Sequence, residues 1–244
     1  MLNKKLKFAV FLIISLFFFG FIANNLNSKF DNDQFISYTC NPKKTQVKLF
    51  WKDKNGQVLK SFANLKAEVE SNGQSLLLAM NAGMYMEDNS PLGLYIDNGR
   101  QIRKLNLGKS NSGNFYLKPN GVFYLTKNKE AKVIETSKFK QSKDIEFATQ
   151  SGPMLIIEGE IHPAFTKGSA NLNIRNGVGI LPNNELIFAI SKVPVNFYDF
   201  AMYFKNLGCK NALYLDGSVS RAYIPEKKWG QLEGNFGVLI GVVE

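Results

Sequence analysis

The chain has 244 residues, of which 45% are hydrophobic and 20% charged, with a formal net charge of +10. This length and apolar content suit one large domain with a substantial core. The positive excess favours anionic partners such as phosphates or acidic glycans. Arg100, Arg103, Arg175 and Arg221 are the only arginines, and no dense basic run with interleaved aromatics occurs, so nucleic acid is excluded as the expected partner.

Lys4, Lys5 and Lys7 precede an uncharged apolar run from Phe8 to Ala23. That is the layout of an export signal, and the run is shorter than the ~20 residues of a standard spanning helix. Residues 1–23 are therefore expected to be a signal peptide or an uncleaved N-terminal membrane anchor. The domain would lie outside the cytoplasm, periplasmic or otherwise extracytoplasmic, and held at the inner membrane if the segment is retained. Residues 24–35 read as a polar tether, and 36–244 as a single domain.

From Ile36 the pattern becomes β-like, and residues 45–51 alternate before a turn at Lys52–Gly56. Phe62, Leu65 and Val69 share one face of a helix over Phe62–Ser71, with Gly73 just beyond. Ser75–Met80 reads as a buried strand. A meander is expected next, with strands at Leu92–Ile96, Ile102–Leu105, Asn114–Leu117, Val122–Thr126 and Lys132–Thr136. Hairpins follow around Glu158-Gly159 and around Pro182–Glu185. A second helix spans Phe197–Leu207, with Asn196 as its cap and Asp199 as the capping partner, and Gly208 follows its last turn. Strands Asn211–Leu215 and Gly237–Val243 complete an α+β chain of mostly antiparallel or mixed sheet with a few helices. Cys40 and Cys209 are either one disulfide, which export would permit, or two buried free thiols.

Four apolar strands end in short polar corners that carry glycine. They are Met80-Asn81-Ala82-Gly83, Gln150-Ser151-Gly152-Pro153, Ile174-Arg175-Asn176-Gly177 and Leu215-Asp216-Gly217-Ser218. One such corner is a turn, and Asp216-Gly217 alone reads as a hairpin corner. Four of them can converge on a pocket, with Asp216 as acid, base or nucleophile and Arg175 as a planar fork for phosphate or carboxylate. The lone His162 is either a packed residue or a proton-transfer group. Neither the cysteine spacing nor any nucleotide, calcium or zinc pattern implies a metal or cofactor.

Taken in order, these corners resemble the phosphodiester glycosidase family, from about Ser75 to the C-terminus. Asn81-Ala82-Gly83-Met84 is similar to its Asn-Gly-Gly-Phe corner, and Ser151-Gly152-Pro153-Met154-Leu155 to its Gly-Pro strand. Arg175-Asn176-Gly177-Val178-Gly179 resembles its arginine-to-glycine strand, and Leu215-Asp216-Gly217 the start of its aspartate-glycine motif. That motif often runs Asp-Gly-Gly-Gly-Ser; here it is Asp-Gly-Ser-Val-Ser, which leaves the sugar identity open.

The resemblance implies hydrolysis of a sugar-1-phosphodiester at the anomeric carbon, on cell-envelope or exopolysaccharide substrates. It implies Asp216 and His162 as catalytic residues. Asn81, Gly83, Gly152, Arg175, Gly217, Ser218, Ser220 and Arg221 are implied as substrate contacts, with Lys192 as a further phosphate helper. Glu87, Asp88, Glu158 and Asp199 are candidates for a second carboxylate. A competing expectation is an exported, non-catalytic protein that binds anionic glycans on the same scaffold. A third is metal-dependent cleavage on the phosphorus side.

Overall fold

The computed structural model describes residues 33–110, 113–216 and 219–244. The expected export segment and residues 24–32 of the tether lie outside them, as do Gly217 and Ser218. Contacts group the chain into two units, Met1–Phe35 and Ile36–Glu244, and the second carries the fold.

Sixteen strands are found among the described residues. They are β1 (Phe35–Cys40), β2 (Gln46–Phe50), β3 (Leu76–Asn81), β4 (Tyr95–Asp97), β5 (Arg100–Arg103), β6 (Gly121–Thr126), β7 (Ala131–Glu135) and β8 (Ile145–Ser151). Then come β9 (Met154–Ile157), β10 (Glu160–Ile161), β11 (Asn176–Ile180), β12 (Leu186–Ser191), β13 (Ala212–Tyr214), β14 (Ala222–Ile224), β15 (Trp229–Gly230) and β16 (Leu239–Val243). Two helices, α1 (Phe62–Ser71) and α2 (Phe197–Asn206), complete the α+β architecture.

The strands form three sheets, in the orders β1-β12-β11-β13-β9-β10, β15-β14-β3-β16-β2 and β5-β4-β8-β6-β7. The pairings of β11 with β13 (Gly177 opposite Tyr214) and of β3 with β16 (Asn81 opposite Leu239) are antiparallel. The central core draws on all three sheets, with Met80 from β3, Phe123 from β6, Phe147 from β8, Val178 from β11, Phe188 from β12 and Leu213 from β13. Alternation places these side chains on the inward faces.

Helix α1 starts at Ser61, whose hydroxyl accepts from the Asn64 amide at 3.2 Å. It buries Phe62, Leu65 and Val69 against β3 and β16, with Phe62 stacked on Phe236 at 4.9 Å. Helix α2 has the expected reciprocal cap. Asn196 Oδ1 accepts from the Asp199 amide at 2.9 Å, and Asn196 Nδ2 donates to the Asp199 carboxylate at 2.8 Å. Its Phe204 packs on β11, where a Cβ on Gly179 would come within 2.7 Å of the ring. This is why β11 carries glycine on its outer face.

The expected strand at Asn114–Leu117 is instead a 3-10 turn over Asn114–Tyr116. It buries Phe115, and Asn120 Nδ2 holds the Phe115 carbonyl at 2.8 Å. The expected alternation had only one buried member to serve.

Candidate active site

The three sheets meet at the ends of four strands. β3 ends at Asn81, β8 ends at Ser151, β11 begins at Asn176, and β13 leads through Leu215 to Asp216. All four residues are buried, Asp216 with 6% of its surface exposed. Ser151 Oγ donates to the Leu215 carbonyl, which ties the sheet of β8 to the strand that delivers Asp216.

The polar side chains form one connected network. Asn176 Nδ2 donates to the Asn81 carbonyl at 2.8 Å and to Asn81 Oδ1 at 2.9 Å. Asn176 Oδ1 accepts from the Asp216 amide at 3.2 Å. Asn81 Oδ1 also accepts the Arg221 backbone N–H at 2.9 Å. With its oxygen occupied twice, Asn81 has its Nδ2 left to donate, and it donates to Asp216 Oδ2 at 3.1 Å. Ser220 Oγ donates to the Asp216 carbonyl at 2.7 Å and lies 3.3 Å from Asn176 Oδ1. Both amide orientations are fixed by their partners, and the carboxylate is fixed by them.

Asp216 lines an open groove of ≈ 390 Å³ with Tyr85, Glu87, Phe115, Tyr116 and Val219. Tyr85 donates its hydroxyl to the Asn235 carbonyl at 2.7 Å. Burial pushes the Tyr85 phenol pKa up, and the Asp216 carboxylate beside it adds to the rise. Aromatic walls around a fixed carboxylate are a common way to hold a sugar ring.

The expected site residues separate into those the network gathers and those it does not. Asn81, Asp216 and Ser220 belong to it, and Arg221 enters through its backbone. Gly83 and Gly152 sit at close approaches within the protein. A Cβ on Gly83 would sit 2.3 Å from Thr149 Oγ1, and one on Gly152 2.5 Å from Asn120 Cβ, so both glycines serve close packing within the protein. The structure assigns no geometry to Gly217 and Ser218, which lie outside the described residues.

Arg175 corrects the expectation of a phosphate fork. It is fully buried, with Nε donating to the Val195 carbonyl at 2.8 Å, Nη2 to the Asn171 carbonyl at 2.9 Å and Nη1 to the Tyr214 hydroxyl at 3.3 Å. Its guanidinium carbon lies 3.6 Å from the Phe197 ring centroid. The cation is stacked and bonded inside the protein rather than offered to a groove. Burial pulls its pKa below the ordinary arginine value, while Tyr214 works against that fall. Burial pushes the Tyr214 phenol up to about 12, with the Arg175 cation opposing the rise and the Asp216 carboxylate adding to it.

His162 is likewise removed from the groove, buried and stacked on Phe165 at 4.7 Å. Phe165 stacks on Phe197 at 4.8 Å, and Phe197 meets Tyr214 edge-on at 4.8 Å, so two further rings separate the imidazole from Tyr214. Its Nδ1 accepts from the Ala164 amide at 3.1 Å, and Nε2 faces the Lys118 and Pro119 backbone without a complete hydrogen bond. Desolvation pulls its pKa below the ordinary value. A neutral, enclosed imidazole is not placed to transfer a proton in the groove.

Among the candidate second carboxylates, Glu87 lines the Asp216 groove. Asp88 is exposed and accepts from the Ser90 amide at 3.0 Å, Glu158 pairs with Lys210 at 2.9 Å on a hairpin tip, and Asp199 caps α2. Asn176 and Tyr85 are the residues that sequence reasoning missed. Asn176 stood next to the arginine that drew attention, and Tyr85 followed the first corner by two positions.

The chain is 44% identical over 189 residues to the uncharacterized protein YigE of Escherichia coli (strain K12), which covers 77% of this chain and 73% of that protein. Solved structures with a similar fold include the following three. The catalytic domain of zebrafish N-acetylglucosamine-1-phosphodiester alpha-N-acetylglucosaminidase, auto-inhibited by its pro-peptide, has a TM-score of 0.53 at 15% identity, covering 86% of this chain and 88% of that one. A Burkholderia pseudomallei K96243 protein described as exported has a TM-score of 0.57 at 11% identity, covering 85% and 73%. A hypothetical protein from Synechocystis has a TM-score of 0.51 at 16% identity; the match covers 86% of this chain and spans 59% of that protein. The phosphodiester glycosidase family model matches residues 74–236, so the chain belongs to the phosphodiester glycosidase family.

Proposed function

We propose that the protein hydrolyses a sugar-1-phosphodiester at the anomeric carbon, with Asp216 as the catalytic carboxylate. The observation that carries this reading is the Asp216 carboxylate fixed by Asn81 Nδ2 at 3.1 Å, on the wall of a groove lined by Tyr85, Phe115 and Tyr116. Family membership supports the reaction class.

In this reaction the bond between the anomeric carbon and the phosphate oxygen breaks, and its electron pair leaves on that oxygen. A phosphate monoester is a stable anion, so the departing group needs little help from a general acid. Catalysis is needed instead for the positive charge that grows on the sugar ring and for the incoming water. Asp216 meets both needs: its negative charge stabilises the ring, and it accepts a proton as the water oxygen bonds to the anomeric carbon. Glu87 lines the same groove and serves as the second carboxylate, adding negative charge near the ring. The apolar N-terminal run after Lys4, Lys5 and Lys7 supports an extracytoplasmic setting and an envelope or exopolysaccharide substrate.

The test is turnover of sugar-1-phosphodiesters in water enriched in heavy oxygen. The expected result is free sugar carrying the label, with Asp216→Asn folded and at least 100-fold slower. Label in the phosphate, or a folded Asp216→Asn variant of full activity, overturns the assignment. Binding without turnover returns the protein to a glycan-binding role.

A further inference from the structure

A second groove lies on the other side of Val219. It has a volume of ≈ 350 Å³ and is lined by Asn173, Lys192, Arg221, Trp229 and Gln231. Val219 lines both grooves and is 38% exposed, so it forms the ridge between them. Their charges are segregated. Among the described residues, the Asp216 groove is lined by two carboxylates, Asp216 and Glu87, and by no cation. Among the described residues, the second groove is lined by two cations, Lys192 and Arg221, and by no carboxylate.

The donors of the second groove are tied to the catalytic network. Arg221 has its backbone fixed by Asn81, the residue that also holds Asp216. Its side chain is exposed and meets no carboxylate among the described residues. Gln231 Oε1 accepts from the Ala222 amide at 3.1 Å and from Trp229 Nε1 at 3.2 Å. The Gln231 amide nitrogen therefore carries the donors left for a ligand. An arginine fork and an amide around one space, with a half-buried indole at its side, match a phosphate that carries a polar ester arm.

We infer that this basic groove receives the phosphate leaving group, with the sugar held across the Val219 ridge in the Asp216 groove. This rests on the phosphodiester reading of the Asp216 site and extends it. One end of the substrate must tolerate growing positive charge and the other is an anion, and the two grooves are charged in that sense. Substrates with an anionic aglycone are selected by the basic groove, with Arg221 as the main determinant. The second ester arm is a polyol or sugar lying along Trp229.

The test is calorimetric titration of the folded protein with glycerol 3-phosphate and inorganic phosphate, with glycerol as the neutral control. The expected result is saturable binding of glycerol 3-phosphate and none of glycerol. Arg221→Ala should weaken it at least tenfold and Arg221→Lys less. Lys43→Ala, at a distant exposed lysine, should leave it within about twofold. Equal weakening by Lys43→Ala and Arg221→Ala would show a diffuse basic surface and overturn the site. Unchanged binding in Arg221→Ala, or no binding at all, would also overturn it. Turnover separates this inference from the one beneath it. If the wild type is inactive but Arg221-dependent binding persists, the catalytic reading fails and the groove stands. If Arg221→Ala turns over phosphodiesters at the wild-type kcat/KM, the groove fails and the catalytic reading stands.

Discussion

Asn81 acts on Asp216 through a single hydrogen that its other bonds leave no choice in placing. Two donors, Asn176 Nδ2 and the Arg221 backbone, occupy Asn81 Oδ1, so the amide cannot turn over without losing both. Asn81→Ala removes the fixed donor and leaves Asn176 Nδ2 and the Arg221 N–H short of an acceptor. The expected result is a fall in kcat of about 100-fold, the usual cost of a misplaced catalytic group. A destabilisation of about 1–3 kcal/mol should accompany it. Steady-state kinetics and urea unfolding on one preparation separate the two effects, and an unchanged kcat would refute the positioning role. The corner sequences made Asp216 and Asn81 visible beforehand, because an acid and an amide both stop apolar strands. Choosing Arg175 over Asn176 failed for a physical reason. Adjacent residues at a strand end project to opposite sides, so only one of the pair can face Asp216. The arginine has the stronger chemistry, but the asparagine has the facing side.

Strand ends and the segments between them explain what the buried cation and the histidine do. Arg175 draws the loop at Asn171 and the chain at Val195 together while stacking on Phe197 at the start of α2. His162 and Phe165 extend that stack on the other side of Phe197. Helices, hairpins and the cap of α2 were legible from periodicity and punctuation. The stack was not, since its members are far apart in sequence and show no shared pattern. β14 and β15 also escaped, having only three and two residues. The stack has a consequence for stability. Burial holds the His162 pKa below its ordinary value, so the unfolded chain takes up the proton first as pH falls. Above about pH 6.5 both states are neutral at this residue, and below it stability is lost toward the folded-state pKa. His162→Phe keeps an aromatic ring for Phe165 but loses the acceptor for the Ala164 amide, a cost of about 1 kcal/mol at pH 7. Because His162 is the only histidine, the variant should lose stability less steeply than the wild type between pH 7 and pH 5. Urea unfolding at both pH values measures this, and parallel losses would contradict it.

At the level of the whole molecule, the three sheets decide which of the two expectations for the cysteines holds. Cys40 belongs to the central core, together with Val178 of β11. Cys209 follows α2 and packs over Gly179, where an added Cβ would lie 2.8 Å from its sulfur. Val178 and Gly179 are neighbours in β11 and project to opposite faces. The two thiols therefore lie on opposite faces of the six-stranded sheet, and β12 stands between β1 and β11. Two strand spacings are roughly 10 Å, beyond the Cα separation a disulfide spans. Both cysteines are free and buried. Sequence could not decide this, because the faces of a sheet are assigned only once strand order is known. Burial raises the Cys40 thiol to about 11 and the Cys209 thiol to about 12. At pH 8 both are protonated, and the thiolate is the reactive form. The folded protein should react with a disulfide reagent such as DTNB at least roughly 100-fold more slowly than a free model thiol. Two thiols should titrate at once in denaturant, and a reductant should leave the unfolding midpoint unchanged. A fast stoichiometric reaction of either thiol in the folded state would place it at the surface. A midpoint lowered by reductant would join the two faces by a bond that the sheet order forbids.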